Sequence, residues 1–202
     1  WNCTLTKTID FYFDFISPFS YLAQLKLPDL ARRTGCKIEY WPIDIPEAKI
    51  AAGNYGPSNR EVAPKIKVMM ADLERWAVKY AAPLKFPASF ACADWNCAVV
   101  YARGHGQAEA FVTAAYHRIW GLGIDPGDLS ELRSCAEETG LDADGLCEFI
   151  ASPTGQGEYR KVRTQAYQRG VFGAPLMFVD DQIFWGNDRL DFLESYLVAT
   201  NE

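Results

Sequence analysis

None of the six cysteines (Cys3, Cys36, Cys92, Cys97, Cys135, Cys147) stands in a Cys-x-x-Cys pair, and none belongs to a short-spaced metal-ligand cluster. Dithiol exchange therefore has no sulfur pair to work with. In a chain of this length and character the six read as buried free thiols, not disulfides. Histidine is scarce: His105 and His117 stand in no nucleophile-base arrangement, which leaves Ser-His-Asp hydrolysis unsupported. Positive charge is also short. With 20 Lys+Arg against 26 Asp+Glu, the net charge of −6 lacks the basic footprint of a nucleic-acid partner. A few local cations can still line a pocket for a small anion. No apolar run approaches the ~20 residues that span a bilayer. Trp1–Thr8 holds no apolar stretch of signal-peptide length, so no membrane partner and a cytoplasmic setting are expected. No repeat or low-complexity segment is visible.

What is present is ordinary globular material: 49% hydrophobic and 23% charged over 202 residues, enough for one compact unit carrying an insertion. Thr8–Phe15 is rich in strand formers and runs into Ser17-Pro18-Phe19-Ser20. Serine is a favoured N-cap and proline a favoured first helical residue, so a helix is predicted from there to Gly35, with Pro28 a potential kink. Lys37–Ile45 reads as a second strand, giving β-α-β with a parallel pair. From about Ala48 to Gln168 the pattern is helical. Segments are expected at 62–82, 94–103, 108–120, 129–139, 143–150 and 157–169, their aromatic and methionine residues serving as core. Strands return at Leu176–Val179 and Ile183–Trp185 around an Asp180-Asp181-Gln182 turn, followed by a final helix from Arg189 to Val198.

The fold class is thus α/β. A thioredoxin-like β-α-β…β-β-α domain (8–47 and 170–202) is predicted to carry an inserted all-helical domain (48–169). In that topology the active site is the turn after the first strand, here Ser17-x-x-Ser20, which is the disulfide-exchange spacing with both sulfurs replaced by hydroxyls. The proline facing it is expected at Ala174-Pro175, with a cis peptide bond. Taken alone, Ser17 and Asp188 are helix caps, and Lys49, Asn59 and Arg60 are solvated loop residues.

Four motifs change that reading: FYFDFISPFSYLA (Phe11–Ala23), NYGPSNR (Asn54–Arg60), Gly173-Ala174-Pro175 and FWGNDRLDFLE (Phe184–Glu194). Together, in register from about Thr8 to Leu197, they resemble the 2-hydroxychromene-2-carboxylate isomerases, which are related to kappa-class glutathione transferases in the DsbA-like branch of the thioredoxin fold. The resemblance implies glutathione as cofactor, its sulfur being the working nucleophile, and Ser17 as catalytic residue. It implies glutathione contacts at Ser17, Phe19, Ala174, Pro175, Trp185, Gly186, Asn187 and Asp188. It further implies an aromatic keto-acid substrate held by Lys49, Asn59 and Arg60, with a contact near Phe90, where the family often has a tyrosine and this chain has no hydroxyl. A homodimer acting in the breakdown of naphthalene and related aromatics is implied as well.

The residue types suit that chemistry. Turning a double bond conjugated to a keto acid requires temporary loss of its π character, which conjugate addition of a thiolate provides. A thiol of pKa about 8.5 is only about 3% ionised at pH 7, and lowering it by about two units takes about 2.7 kcal/mol. A helix N-terminus supplies part of this, and a hydrogen bond from the Ser17 hydroxyl supplies much of the rest. The rival readings are a kappa-like transferase that releases a conjugate and a non-catalytic binding module of the same fold.

Overall fold

A computed structural model of the chain describes residues 6–200; Cys3 lies outside them. Strands β1 (Thr8–Phe13), β2 (Lys37–Pro42), β3 (Leu176–Val179) and β4 (Gln182–Trp185) form one sheet in the order β2-β1-β3-β4. β1 and β2 are parallel, and the other pairs are antiparallel. β1 is buried on both faces. Phe11 and Phe13 point into one core with Tyr21, Trp95, Phe111, Tyr116 and Trp120. Tyr12 points the other way, toward Ile43, Ala48, Ala166, Leu176 and Phe178. Each fully buried phenylalanine contributes ~1.5–3 kcal/mol. Because the larger cluster unites strand residues with residues of the helical segment, the sheet and those helices share one core.

The predicted helix from Ser17 to Gly35 is two: α1 (Pro18–Gln24) and α2 (Leu27–Thr34). The break falls at Leu25-Lys26, and Pro28 lies in the first turn of α2, where a missing N–H is tolerated, so it does not kink a longer helix. The second strand stops at Pro42, short of Ile45. Asp44 instead caps a helix that the sequence reading ran into the strand, α3 (Ile45–Ala51), accepting from Glu47 N–H at 2.8 Å.

The remaining helices are α4 (Ala63–Tyr80), α5 (Ala93–Gly104), α6 (Ala108–Tyr116), α7 (Leu129–Glu138), α8 (Ala143–Ala151), α9 (Pro153–Gln168) and α10 (Leu190–Ala199). α6 ends earlier than expected and passes into a π-helical turn, His117–Leu122, which carries the buried Trp120. α9 starts earlier than expected because Ser152 caps it, accepting from Gly155 N–H at 2.9 Å. Among the described residues no helix is long and apolar enough to cross a membrane. Cys36, Cys92, Cys97, Cys135 and Cys147 are free thiols. Burial pushes the Cys97 and Cys135 thiols up to about 12, far from a reactive thiolate.

Candidate active site

The register of the sheet gathers three predicted segments at one strand end. Leu176 lies opposite Tyr12 and Trp185 opposite Leu176, so Pro175 and Gly186 stand at the end of β1 from which the chain runs to Ser17. The Ala174–Pro175 bond is cis, as expected. Gly186 N–H donates to the Pro175 carbonyl at 3.0 Å and ties the last turn to this proline. The 3-10 turn Asn187–Arg189 touches α1. The ladder with β1 starts at Leu176, which leaves the Ala174 backbone beyond the last paired residue.

Ser17 is buried, with φ −97° and ψ 110°, and its Oγ accepts from Ser20 N–H at 3.1 Å. It is a true N-cap. An accepting hydroxyl still carries its own proton, so Ser17 remains a potential donor to an anion. Phe19 is half-buried on α1. Gly186 takes a φ of +111°, and a Cβ there would collide with Asp188 Oδ1, so only glycine suits the turn. Asn187 is buried. Among the described residues its Nδ2 has no hydrogen-bond partner. Burial raises the pKa of the nearby Tyr80 phenol, against a lowering effect of Asn187. The exposed Asp188 carboxylate pairs with its neighbour Arg189 at 2.6 Å. Trp185 is exposed and packs edge-on against Phe172.

The predicted substrate residues adjoin this centre unequally. Arg60 reaches it directly: its guanidinium donates to the Ile16 carbonyl at 2.5 Å and stacks over the Phe90 ring, 4.3 Å from its centroid. Burial pulls the Arg60 pKa down, and the Asp14 carboxylate holds it up. Phe90 in turn lies against Trp120. Lys49, on α3, and Asn59, in the loop that follows it, are engaged with other partners. The Lys49 ammonium donates to the Gly56 carbonyl, and Asn59 Oδ1 accepts from Lys65 at 3.1 Å.

The residues that the sequence reading missed lie beneath Ser17. Asp14 is buried. Its Oδ1 accepts from Asn96 Nδ2 at 2.7 Å and Ile16 N–H at 3.2 Å, and its Oδ2 accepts from Ile45 N–H at 3.0 Å. Its main-chain carbonyl accepts from Ser17 N–H at 2.9 Å and the Tyr116 hydroxyl at 3.0 Å. The Phe15 carbonyl accepts from the Trp120 indole at 2.7 Å, and Phe15 N–H donates to Asn96 Oδ1 at 3.3 Å. With Arg60 on the Ile16 carbonyl, every main-chain polar group from Phe15 to Ile16 has a partner, so the approach to Ser17 is held from several directions. Burial pushes the Asp14 carboxyl up to about 6, against the lowering effect of Asn96 and the Ile45 and Ile16 amides. The one available signal was an aspartate inside an otherwise apolar strand end, FYFDF.

The model of the DsbA-like thioredoxin domain matches residues 8–198. A 2-hydroxychromene-2-carboxylate isomerase of Sphingobium xenophagum is 86% identical over 96% of this chain and 100% of its own length. The chain belongs to the 2-hydroxychromene-2-carboxylate isomerase family. A solved structure of one such isomerase superposes with a TM-score of 0.90 at 41% identity, covering 96% of this chain and 95% of that one. Glutathione S-transferase kappa 1 of Homo sapiens is a more distant relative, 25% identical over 96% of this chain and 92% of its own length. Within the isomerase family, this chain carries Ser17 and Ser20 where a dithiol exchanger of the same fold needs sulfur.

Proposed function

We propose that the chain is a glutathione-dependent cis-trans isomerase that interconverts 2-hydroxychromene-2-carboxylate and trans-o-hydroxybenzylidenepyruvate, or a close aromatic analogue. The observation that carries this reading is the meeting of Ser17, the cis Ala174–Pro175 peptide and the Gly186–Asp188 turn at one strand end, with Arg60 bonded to the residue before Ser17. The donor set suits a γ-glutamyl peptide with a thiol. There is a hydroxyl proton at Ser17, a stretch of main chain at Ala174 beyond the ladder, and an acid at Asp188 for an ammonium group.

When bound, glutathione supplies a soft nucleophile that adds reversibly to a conjugated double bond. The chain's own residues do the positioning. The Ser17 hydroxyl donates to the sulfur and favours its ionised form. Ala174 pairs with the cysteinyl unit as a short strand would. Asp188 releases Arg189 to meet the ammonium, and Arg60, with Lys49 and Asn59, receives the keto-acid carboxylate. Phe90, resting on Trp120, presents an apolar face to the aryl ring. The homodimer expected from the resemblance belongs to the same reading, and light scattering tests it.

The decisive assay mixes dialysed protein with 2-hydroxychromene-2-carboxylate, with and without glutathione. Isomerisation is expected only with glutathione, with free thiol unchanged at equilibrium. Undiminished turnover after complete removal of glutathione contradicts the proposal. Stoichiometric loss of thiol into a stable conjugate assigns the chain to the transferases instead.

A further inference from the structure

We propose that Asp14 is a positioning residue for the reaction, a buried carboxylate that clamps the Ser17 turn to the segment bearing the substrate residues. A buried charge is costly unless it is fully hydrogen-bonded, and a hydrophobic residue of similar volume is often at least as stabilising. Stability alone therefore does not account for a carboxylate that is only 2% exposed.

Its bonds suggest what does. Oδ1 takes the amide of Ile16, the residue before Ser17. Oδ2 takes the amide of Ile45, the first residue of α3, the helix that carries Lys49. The chain from α3 leads through the loop to Arg60, whose guanidinium returns to the Ile16 carbonyl. The Ile16 residue is thus gripped by its N–H and its C=O, once from each side, and the ring of contacts closes. Asn96 locks the ring from α5. It donates to Asp14 Oδ1 and to the Ile43 carbonyl at 3.3 Å, and it accepts from Phe15 N–H. One carboxylate so fixes the separation between the hydroxyl that faces the sulfur and the cations that face the keto acid. A misplacement of about 1 Å between reacting groups can slow a reaction about 100-fold. Asp14 touches neither ligand in this arrangement and acts through Ser17 and α3.

The inference rests on the reading of Ser17 given above, and Asp14→Asn tests it. Asparagine keeps one accepting oxygen but turns an NH2 toward an amide that needs an acceptor, so one arm of the clamp opens. Per folded molecule, kcat is expected to fall about 30- to 100-fold, while the dissociation constant for glutathione and KM for the keto acid change by less than about three-fold. A folded Asp14→Asn enzyme with kcat within about two-fold of wild type overturns the proposal. Asn96→Ala guards against loss of folding. It removes one of three donors to the carboxylate and is expected to lower kcat about ten-fold, whereas an unchanged kcat in this variant is equally contrary. The wild type, run alongside, separates the two levels: if it is inactive with glutathione, the functional reading fails. If it is active and either variant matches it, only the clamp fails.

Discussion

Ser17 has one hydroxyl and two tasks. Its lone pair caps α1 through Ser20 N–H, and its proton is left to meet an anion. The break after Gln24 sharpens the second task. With only seven residues in α1, the helix dipole is a weaker source of thiolate stabilisation than a helix running to Gly35 would have been, and more falls to the hydroxyl. Ser17→Ala is therefore expected to raise the pKa of bound glutathione by about one unit and to lower kcat at neutral pH by about ten-fold or more. Loss of the cap should cost about 1 kcal/mol of stability. Titrating thiolate absorbance in the complex checks the first effect, and an unchanged pKa leaves Ser17 as a cap alone.

At the scale of elements, Arg60 joins the substrate loop to the catalytic turn, since one guanidinium arm is spent on Ile16 and the stacked face rests on Phe90. Arg60→Ala is expected to raise KM for the keto acid at least ten-fold and also to lower kcat, because the Ile16 carbonyl loses its partner. The glutathione dissociation constant should move much less. Steady-state kinetics beside calorimetric glutathione binding checks this, and equal effects on both ligands would take the loop out of the substrate site.

What was legible in the sequence divides along the same lines. Ser17-Pro18 announced its cap because capping is local, and Ala174-Pro175 and Gly186–Asp188 were found as short contiguous motifs. α3 was hidden because a strand-like run, KIEYWPIDI, continued across the cap at Asp44. The Asp14–Asn96 bond joins residues 82 positions apart, and Asn96 sits within a core-facing helix where nothing local marks it. The link from Arg60 to Ile16 spans 44 positions and depends on how the loop folds back. Trp120, which donates to the Phe15 carbonyl, lies in a π-helical turn that the 3.6-residue period does not foretell.

For the molecule as a whole, the site stands on the core shared by β1 and the helices, and among the described residues Asp14 is the buried carboxylate beside it. Its carboxyl titrates near 6 in the folded protein, pushed up by burial, whereas the unfolded chain gives about 3.9. Arg60, Cys92, Asp44, Tyr116 and Tyr159 are the charged or titratable groups around it. A raised carboxyl pKa means that the folded state binds the proton more tightly. The stability attached to that proton is complete below about pH 4 and is lost as pH rises through about 6. Between those limits the wild type should lose up to about 3 kcal/mol relative to Asp14→Asn. Urea unfolding of both proteins at several pH values checks this, and parallel curves would contradict it.

The claim on which the rest depends is that a glutathione sulfur held at Ser17 does the chemistry, and replacing glutathione by S-methylglutathione tests it most directly. The analogue keeps the peptide groups that Ala174 and Asp188 are proposed to hold but has no ionisable thiol. It is expected to bind in competition with glutathione and to support no isomerisation of 2-hydroxychromene-2-carboxylate. Turnover with S-methylglutathione at the rate seen with glutathione would contradict it.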